Sequence, residues 1–226
     1  MSEWDNWTLE QKMQSMEIAV NFITTASVQG NLSELQQLWG AVLERFDPAT
    51  HSREFRILKN LPVKFAAEYG RTACLQYLLS QNLFNQVDTA LEEAAKNGHW
   101  DCMEAVIPFA TVKGIGAAMS MAAHKNHWTC VQQILPFVDP NDSENFELCL
   151  VWSSAHKQPK FLAEFYTRCN PEKVLDHTWN ERYGATRWTA EEMQMLAEYH
   201  SPEKQRERLE VCVGDGPTQS DRKAKM

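Results

Sequence analysis

The sequence lacks the features of a membrane, secreted or nucleic-acid-binding protein. No apolar run among its 226 residues reaches the ~18 residues that a membrane span needs, and residues 1–14 lack the basic-then-apolar order of a secretion signal. The net charge of −8 and the pI near 5.4 argue against the basic surface that binds phosphates. The one basic cluster lies at residues 222–225. We therefore expect a cytoplasmic protein, of the producing cell or of a host, that binds neither membrane nor nucleic acid directly.

Recognisable catalytic motifs are also missing. The sequence contains no glycine-rich phosphate loop, no Gly-x-Ser-x-Gly elbow and no His-Glu-x-x-His helix. The Gly-x-Gly within residues 113–116 has no strand before it, and we interpret it as a flexible link. Adjacent acids such as Glu92 and Glu93 point in different directions on a helix and are expected to be solvated. These observations predict no enzymatic activity, no cofactor and no bound metal.

The sequence does contain an internal repeat. The segment AAKNGHWDCM at residues 94–103 returns as AAHKNHWTCV at residues 122–131, 28 positions later. A fixed period of this size is typical of stacked-repeat proteins. With Gly98 as the anchor, small residues stand three and four positions before the anchor in every copy. The equivalent anchors are Gly30, Gly70, Asn126 and Lys157.

Each anchor separates two helical patterns. A large apolar residue seven positions before the anchor shares a helix face with the small pair, and apolar residues four, five, eight and nine positions after it form the stripe of a second helix. Gly or Asn at the anchor can take the left-handed conformation that ends a helix. Three positions after the anchor, polar residues are predicted to be N-caps, and two prolines are predicted to end second helices. The N-caps are Ser33, Asp101 and Thr129, and the prolines are Pro108 and Pro136.

The cysteines follow the same register. In a cytoplasmic chain the six cysteines are expected to be reduced thiols, and we interpret Cys74, Cys102 and Cys130 as small core residues. The pairs His99-x-x-Cys102 and His127-x-x-Cys130 have the local spacing of zinc ligands. However, the repeat already explains why these pairs recur. We therefore interpret His99 and His127 as side chains that brace the turns by hydrogen bonding to neighbouring backbone.

The pattern Ala-Ala-x-x-Gly-His-x-x-Cys followed by an apolar stripe resembles the centre of the ankyrin repeat, especially its divergent viral, protist and bacterial forms. The resemblance spans roughly residues 18–167 and is most specific at residues 63–80 and 90–137. No copy has the Thr-Pro-Leu-His opening, and the period is shorter than the usual ~33 residues. The resemblance implies an all-α, ankyrin-like helix-turn-helix repeat solenoid of about five repeats. The long finger between repeats is then trimmed to a short loop.

The chain divides into four predicted segments. An N-terminal cap (1–15) contains Trp4 and Trp7 and covers the first repeat. It is followed by an ankyrin-like repeat domain (16–167), a C-terminal helical cap (168–213) and a disordered tail (214–226). Within the repeat domain, residues 47–60 are predicted to be an insertion that holds a short helix at residues 53–59. Asp142 or Ser143 is expected to cap the first helix of the fifth pair.

A repeat solenoid presents one continuous surface whose outward residues vary at little cost in stability. We therefore expect a non-catalytic protein-protein interaction module that binds, and blocks or scaffolds, another protein complex; a viral or bacterial inhibitor of a host system fits this style of repeat. The acidic charge favours a protein partner with a basic patch. The two turn tryptophans, Trp100 and Trp128, are interpreted first as packing at the edge of the core, and a role as interface anchors is the alternative that places them in the predicted set. The predicted binding residues are Lys64, Glu68, Glu92, Glu93, Lys96, Trp100, Ser120, His124 and Trp128.

Three other functions stay open. An acidic protein can occupy a nucleic-acid-binding channel as a charge mimic, with an affinity that falls as salt is added. A homo-oligomeric structural protein is a second alternative. The third is an enzyme whose site lies in the C-terminal region, although the spacing of its candidate groups implies no particular reaction. Those candidates are His177, Glu181, Tyr183, Arg187 and His200.

Overall fold

Helices make up all the regular structure in the part of the chain that can be described. The computed structural model describes residues 8–47, 49–81, 86–166 and 168. The helices are α1 (Leu9–Lys12), α2 (Met16–Gln29), α3 (Leu32–Arg45), α4 (Ser52–Glu68), α5 (Thr72–Ser80), α6 (Val87–Asn97), α7 (Trp100–Val106), α8 (Val112–His124), α9 (Trp128–Ile134), α10 (Ser143–Ala155) and α11 (Pro159–Tyr166). Within these ranges no helix is long and apolar enough to cross a membrane. The predicted all-α class is confirmed.

Five turns share one backbone geometry, and they fall at the five predicted anchors. The anchor residue takes a positive φ in every copy, from 53° at Lys157 to 77° at Gly30. At Gly98 the anchor amide donates to the Ala95 carbonyl oxygen, and the next amide, of His99, donates to Ala94 over 2.9 Å. The same pair of bonds closes the other four turns, as in the Schellman motif that ends many helices. The predicted register of helix-turn-helix units is therefore confirmed.

Like helices pack on like helices from one repeat to the next. The first helices of the first four pairs, α2, α4, α6 and α8, contact each other in sequence, and the second helices α3, α5 and α7 do the same. The small pair before each anchor makes this close approach possible. Ala66, Ala67, Ala94 and Ala95 are all fully buried. Paired helices whose turns stack from repeat to repeat are the ankyrin-like arrangement that the resemblance implied.

The second helices bury the predicted stripe. In α7, Cys102, Met103 and Val106 are completely buried, and Ile107, the residue directly after the helix, is nearly so. The three repeating cysteines are free thiols in the core, which confirms their predicted packing role. Helices α7 and α9 each end two residues before their predicted proline, Pro108 or Pro136, and continue as a 3-10 turn, so the predicted role of these prolines is confirmed. These turns are Ile107–Phe109 and Leu135–Phe137.

The extra residues predicted at 47–60 are present, but the separate short helix predicted at residues 53–59 is wrong. Instead of a separate short helix, α4 runs without interruption from Ser52 to Glu68 and contains Pro62. The added N-terminal turns bury Phe55 and Leu58, with 4% and 1% of their surfaces exposed. Burial of these two side chains offsets the loss of one helical hydrogen bond at the proline. The first helix of the second repeat is therefore extended.

The predicted flexible link at residues 113–116 is also wrong. Gly114 and Gly116 are buried residues of α8, which begins at Val112 and is capped by Thr111. A Cβ on Gly114 would lie 2.3 Å from the Asp88 carboxyl carbon, and one on Gly116 would lie 2.0 Å from the Asp142 carboxylate. The two glycines are thus the places where carboxylates pack against the helix. Repeats three and four are joined by only Ala110 and Thr111, as a trimmed finger implies.

The N-caps of the second helices lie elsewhere than predicted. These helices begin directly after the residue that follows the anchor, so Ser33, Asp101 and Thr129 sit inside the first turn. The cap positions belong to Asn31, His99 and His127. At the fifth pair the prediction is confirmed, because Asp142 accepts a hydrogen bond from the Asn145 amide at the start of α10.

The chain divides into two compact units, residues 1–149 and 150–226. In the first unit, helix α1 carries a capping box at Thr8, and Lys12 pairs with Glu34 of α3. In the second unit, the turn at Lys157 is followed by α11, whose Phe161 and Phe165 rings stack 6.0 Å apart. Trp4 and Trp7, the predicted C-terminal cap and the predicted tail lie outside the described residues. The predicted domain boundaries stay predictions.

Candidate interaction surface

The first helices of repeats three and four form a groove between them. It encloses about 240 Å³ and is lined by Glu92, Glu93 and Lys96 of α6 and by Met121, His124 and Lys125 at the end of α8. Four of these six residues belong to the predicted binding set: Glu92, Glu93, Lys96 and His124. The backbone places them together because α6 and α8 lie side by side.

Ion pairs hold one wall of the groove. Glu93 contacts two ammonium groups, Lys64 of α4 at 3.4 Å and Lys96 of its own helix at 3.2 Å. Its side chain is 17% exposed, whereas those of Lys64 and Lys96 are 37% and 46% exposed, so the two pairs lie at the edge of the solvent and each contributes modestly to stability. The predicted residue Lys64 thus joins the groove indirectly, through Glu93.

Glu92 sits in a different electrostatic environment from Glu93. Burial raises the pKa of the Glu92 carboxyl above its ordinary value, and the nearby carboxylates of Asp88 and Glu93 raise it further. Asp88 is itself engaged, because it accepts hydrogen bonds from the Thr111 amide (2.8 Å) and hydroxyl (2.6 Å). Glu92 therefore faces two anions that are held in place by other groups.

The turns form a second polar row beside the groove. His99 Nε2 lies 3.1 Å from the Glu68 carbonyl oxygen, and His127 Nε2 lies 3.1 Å from that of Lys96. Since a carbonyl only accepts, the imidazole nitrogen must be the donor. Arg71 does the same one repeat earlier, donating from Nε to the Val28 carbonyl over 2.8 Å. The interpretation of His99 and His127 as turn braces is confirmed.

The remaining predicted residues lie away from the groove. Trp128 is 9% exposed, and its Nε1 donates to Asn126 Oδ1 over 2.6 Å, so it packs at the edge of the core. Trp100 is half-buried at the start of α7. Ser120 donates to the Ala117 carbonyl, and Glu68 presents its carbonyl to His99. The structure does not bring these four side chains into one site.

The cysteines beside the histidines are occupied by packing. Burial raises the pKa of the Cys102 thiol, although a hydrogen bond with Thr72 opposes this, and burial also raises the pKa of Cys130. The Cys102 sulfur lies 3.3 Å from the Thr72 hydroxyl. Within residues 8–47, 49–81, 86–166 and 168, no three His, Cys, Asp or Glu side chains are grouped to hold a metal ion.

Three residues of the turns and the groove were not predicted from the sequence: Arg71, Met121 and Lys125. Arg71 stands one residue after its anchor, as His99 and His127 do, so the register was a usable signal. Met121 and Lys125 line the groove, and their positions on α8 follow from the helical period once Ser120 and His124 face outward. The candidate groups between His177 and His200 lie outside the described residues.

Comparisons with known proteins add a likeness of fold. No family model matches the chain, and no curated protein sequence matches it. Among solved structures, the chain is similar to the ankyrin repeat domain of human ASB11, with 15% sequence identity and a TM-score of 0.48. The likeness covers 79% of this chain and 83% of that domain.

Proposed function

We propose that this chain is a non-catalytic protein-binding module whose partner docks on the first-helix face, centred on the groove between α6 and α8. The observation that carries the proposal is the groove itself. It spans two consecutive repeats and is lined mainly by charged side chains. A surface built from several repeats can recognise an extended partner because each repeat adds side chains at a fixed spacing.

The charge of the chain supports a partner with a basic patch. The chain carries a net charge of −8, and long-range attraction between opposite charges speeds the encounter and disfavours wrong partners. The module acts by occupying or scaffolding the surface that it binds.

Affinity capture tests this proposal. The tagged full chain is incubated with extract from its own or a host cell, and the bound proteins are identified by mass spectrometry. The test variant is Glu92→Lys/Glu93→Lys/Lys96→Glu, which reverses the charge pattern of one groove wall. We expect one protein complex to be recovered by the wild type and lost by this variant.

A matched control separates the groove from overall charge. The control is Glu104→Lys, at an exposed position of α7. It changes the net charge by the same amount as the triple variant, in which Lys96→Glu cancels the charge change of one of the two Glu→Lys substitutions. We expect this control to recover the complex. Equal recovery by all three proteins, or recovery of nothing by the wild type, would count against the proposal. Far-ultraviolet circular dichroism verifies that all three are folded.

A further inference from the structure

The size of the groove indicates what kind of group it accepts. Pockets for drug-sized ligands and cofactors usually enclose about 300–1,000 Å³, whereas this groove encloses about 240 Å³. It is open to solvent along the first-helix face and has one apolar wall, at Met121 of α8. These dimensions suit a single long side chain of a docked protein better than a separate cofactor.

The carboxylates around the groove differ in the ion pairs and hydrogen bonds that they form. Glu93 is bound by Lys64 and Lys96, and Asp88 accepts two hydrogen bonds from Thr111. Across the described ranges, the Glu92 carboxylate has neither an ion pair within 4.0 Å nor a side-chain hydrogen bond. A partly buried carboxylate that lacks a counter-charge gains most from an incoming cation.

Three cationic or titratable side chains line the groove together with Glu92: Lys96 on the same helix, and His124 and Lys125 at the end of α8. Lys96 is engaged by Glu93. His124 and Lys125 are exposed at the C-terminal end of α8, and Lys125 carries the one ammonium group in the lining that forms no ion pair within the described residues. An incoming cation is therefore attracted by Glu92 and weakly repelled by Lys125.

Resting on the protein-binding function proposed above, we propose that the groove is a subsite for one lysine or arginine side chain of the partner. The aliphatic stem lies along Met121, and the charged end pairs with the Glu92 carboxylate. Lysine and arginine combine an apolar stem with a charged head, which matches a groove with an apolar wall and one unsatisfied anion.

Small amides of lysine test the subsite without the partner. The probe is Nα-acetyl-lysine methylamide, and its matched control carries a second acetyl group on Nε, which keeps the stem and removes the charge. Binding is followed by the NMR signal of the Met121 methyl group, assigned from its loss in Met121→Leu. We expect a saturable shift with the charged probe that is about fivefold weaker in Glu92→Gln, the upper end for an exposed ion pair. Glu104→Gln should bind the probe as the wild type does, and Lys125→Gln should bind it more tightly.

The outcomes separate this inference from the protein-binding function. An equal shift with the neutral probe, or unchanged binding by Glu92→Gln, overturns the lysine subsite. The binding function is judged separately by capture of the complex, which the triple variant should lose whether or not Glu92 alone matters. A complex that is captured by Glu92→Gln at wild-type affinity and lost only by the triple variant would leave the binding function intact and the subsite refuted.

Discussion

The braced turns at Glu68 and Lys96 and the groove between α6 and α8 lie on the same repeats. The polar groups of the turns have partners within the described residues, whereas one carboxylate of the groove does not. At the turns, the carbonyls of Glu68 and Lys96 are each bound by a histidine of the next repeat. In the groove, the Glu92 carboxylate has no such partner among the described residues. Lys96 belongs to both regions, since its carbonyl accepts from His127 while its side chain lines the groove. The two regions therefore differ in how their acceptors are bound: each turn carbonyl has a side-chain donor from the next repeat, whereas the Glu92 carboxylate has none among the described residues.

The largest expected effect is the loss of a turn glycine. Gly98 has a φ of 74°, and an added Cβ would lie 2.6 Å from Nδ1 of His127. Gly98→Ala should lower the free energy of unfolding by about 2 kcal/mol, because a left-handed residue with a Cβ costs roughly 1–2 kcal/mol and the His127 brace must also shift. Urea denaturation measures the change.

Gly40→Ala is the matched control for that variant. A Cβ on Gly40, inside α3, meets nothing within 4 Å, and alanine is favoured over glycine in a helix by about 0.5–1 kcal/mol. It should therefore stabilise the protein. A similar loss in both variants would show that the turns are not special.

Removal of one brace should have the next largest effect. His127→Ala leaves the Lys96 carbonyl without its donor from the next repeat, at a cost of about 1 kcal/mol. Gln132→Ala, at an exposed position of α9, should stay within about 0.5 kcal/mol of the wild type. Addition of a chelator should leave the unfolding midpoint of the wild type unchanged; a drop would revive zinc binding by the histidine–cysteine pairs.

The two anchors that are not glycine sharpen the comparison among turns. Lys157 has a φ of 53°, so Lys157→Gly should raise the free energy of unfolding by about 1 kcal/mol. Asn126→Gly relieves similar strain but removes the acceptor of the Trp128 indole bond, which is itself worth about 1 kcal/mol. The second substitution should therefore be nearly neutral. Equal gains from both would mean that the indole bond does not stabilise the turn.

The smallest expected effect concerns Glu92. Because its pKa is raised in the folded chain, the folded state disfavours the ionised carboxylate. The protonated Glu92 carboxyl therefore contributes fully to folding stability below its ordinary pKa near 4.3. This contribution is lost as the pH rises through the raised pKa of the folded chain. Glu92→Gln should be more stable than the wild type at pH 7, by at most about 0.5 kcal/mol, and lose this advantage near pH 4. Glu104→Gln measures what loss of an exposed charge alone does.

The repeat register was predictable because its signals are local. A small pair, a left-handed residue and an apolar stripe follow each other within about twenty residues, and the main chain must close each turn in the same way. The extended α4 was missed because the burial of Phe55 that stabilises the extension depends on other helices, which the local pattern at residues 53–59 does not show. Gly114 was misread because its neighbour Asp88 is distant in sequence.

The groove was predictable only in part. Helical spacing identified Glu92, Glu93 and Lys96 as outward residues, but nothing in the sequence tells which carboxylate of an acidic pair will find a cation. The choice depends on Lys64, which lies a full repeat earlier and pairs with Glu93. Which carboxylate forms an ion pair therefore depends on the neighbouring repeat, and the sequence of one repeat alone does not determine it.

The two histidine braces connect residues that are 31 positions apart in both cases, and the histidines themselves are 28 positions apart. The third repeat therefore donates a brace to the preceding turn through His99 and offers the Lys96 carbonyl to the following one. A chain that gained or lost one such unit between these two turns would keep the 31-residue spacing from each histidine to its acceptor. The number of repeats could thus change in steps of 28 residues without a new kind of contact between neighbouring turns.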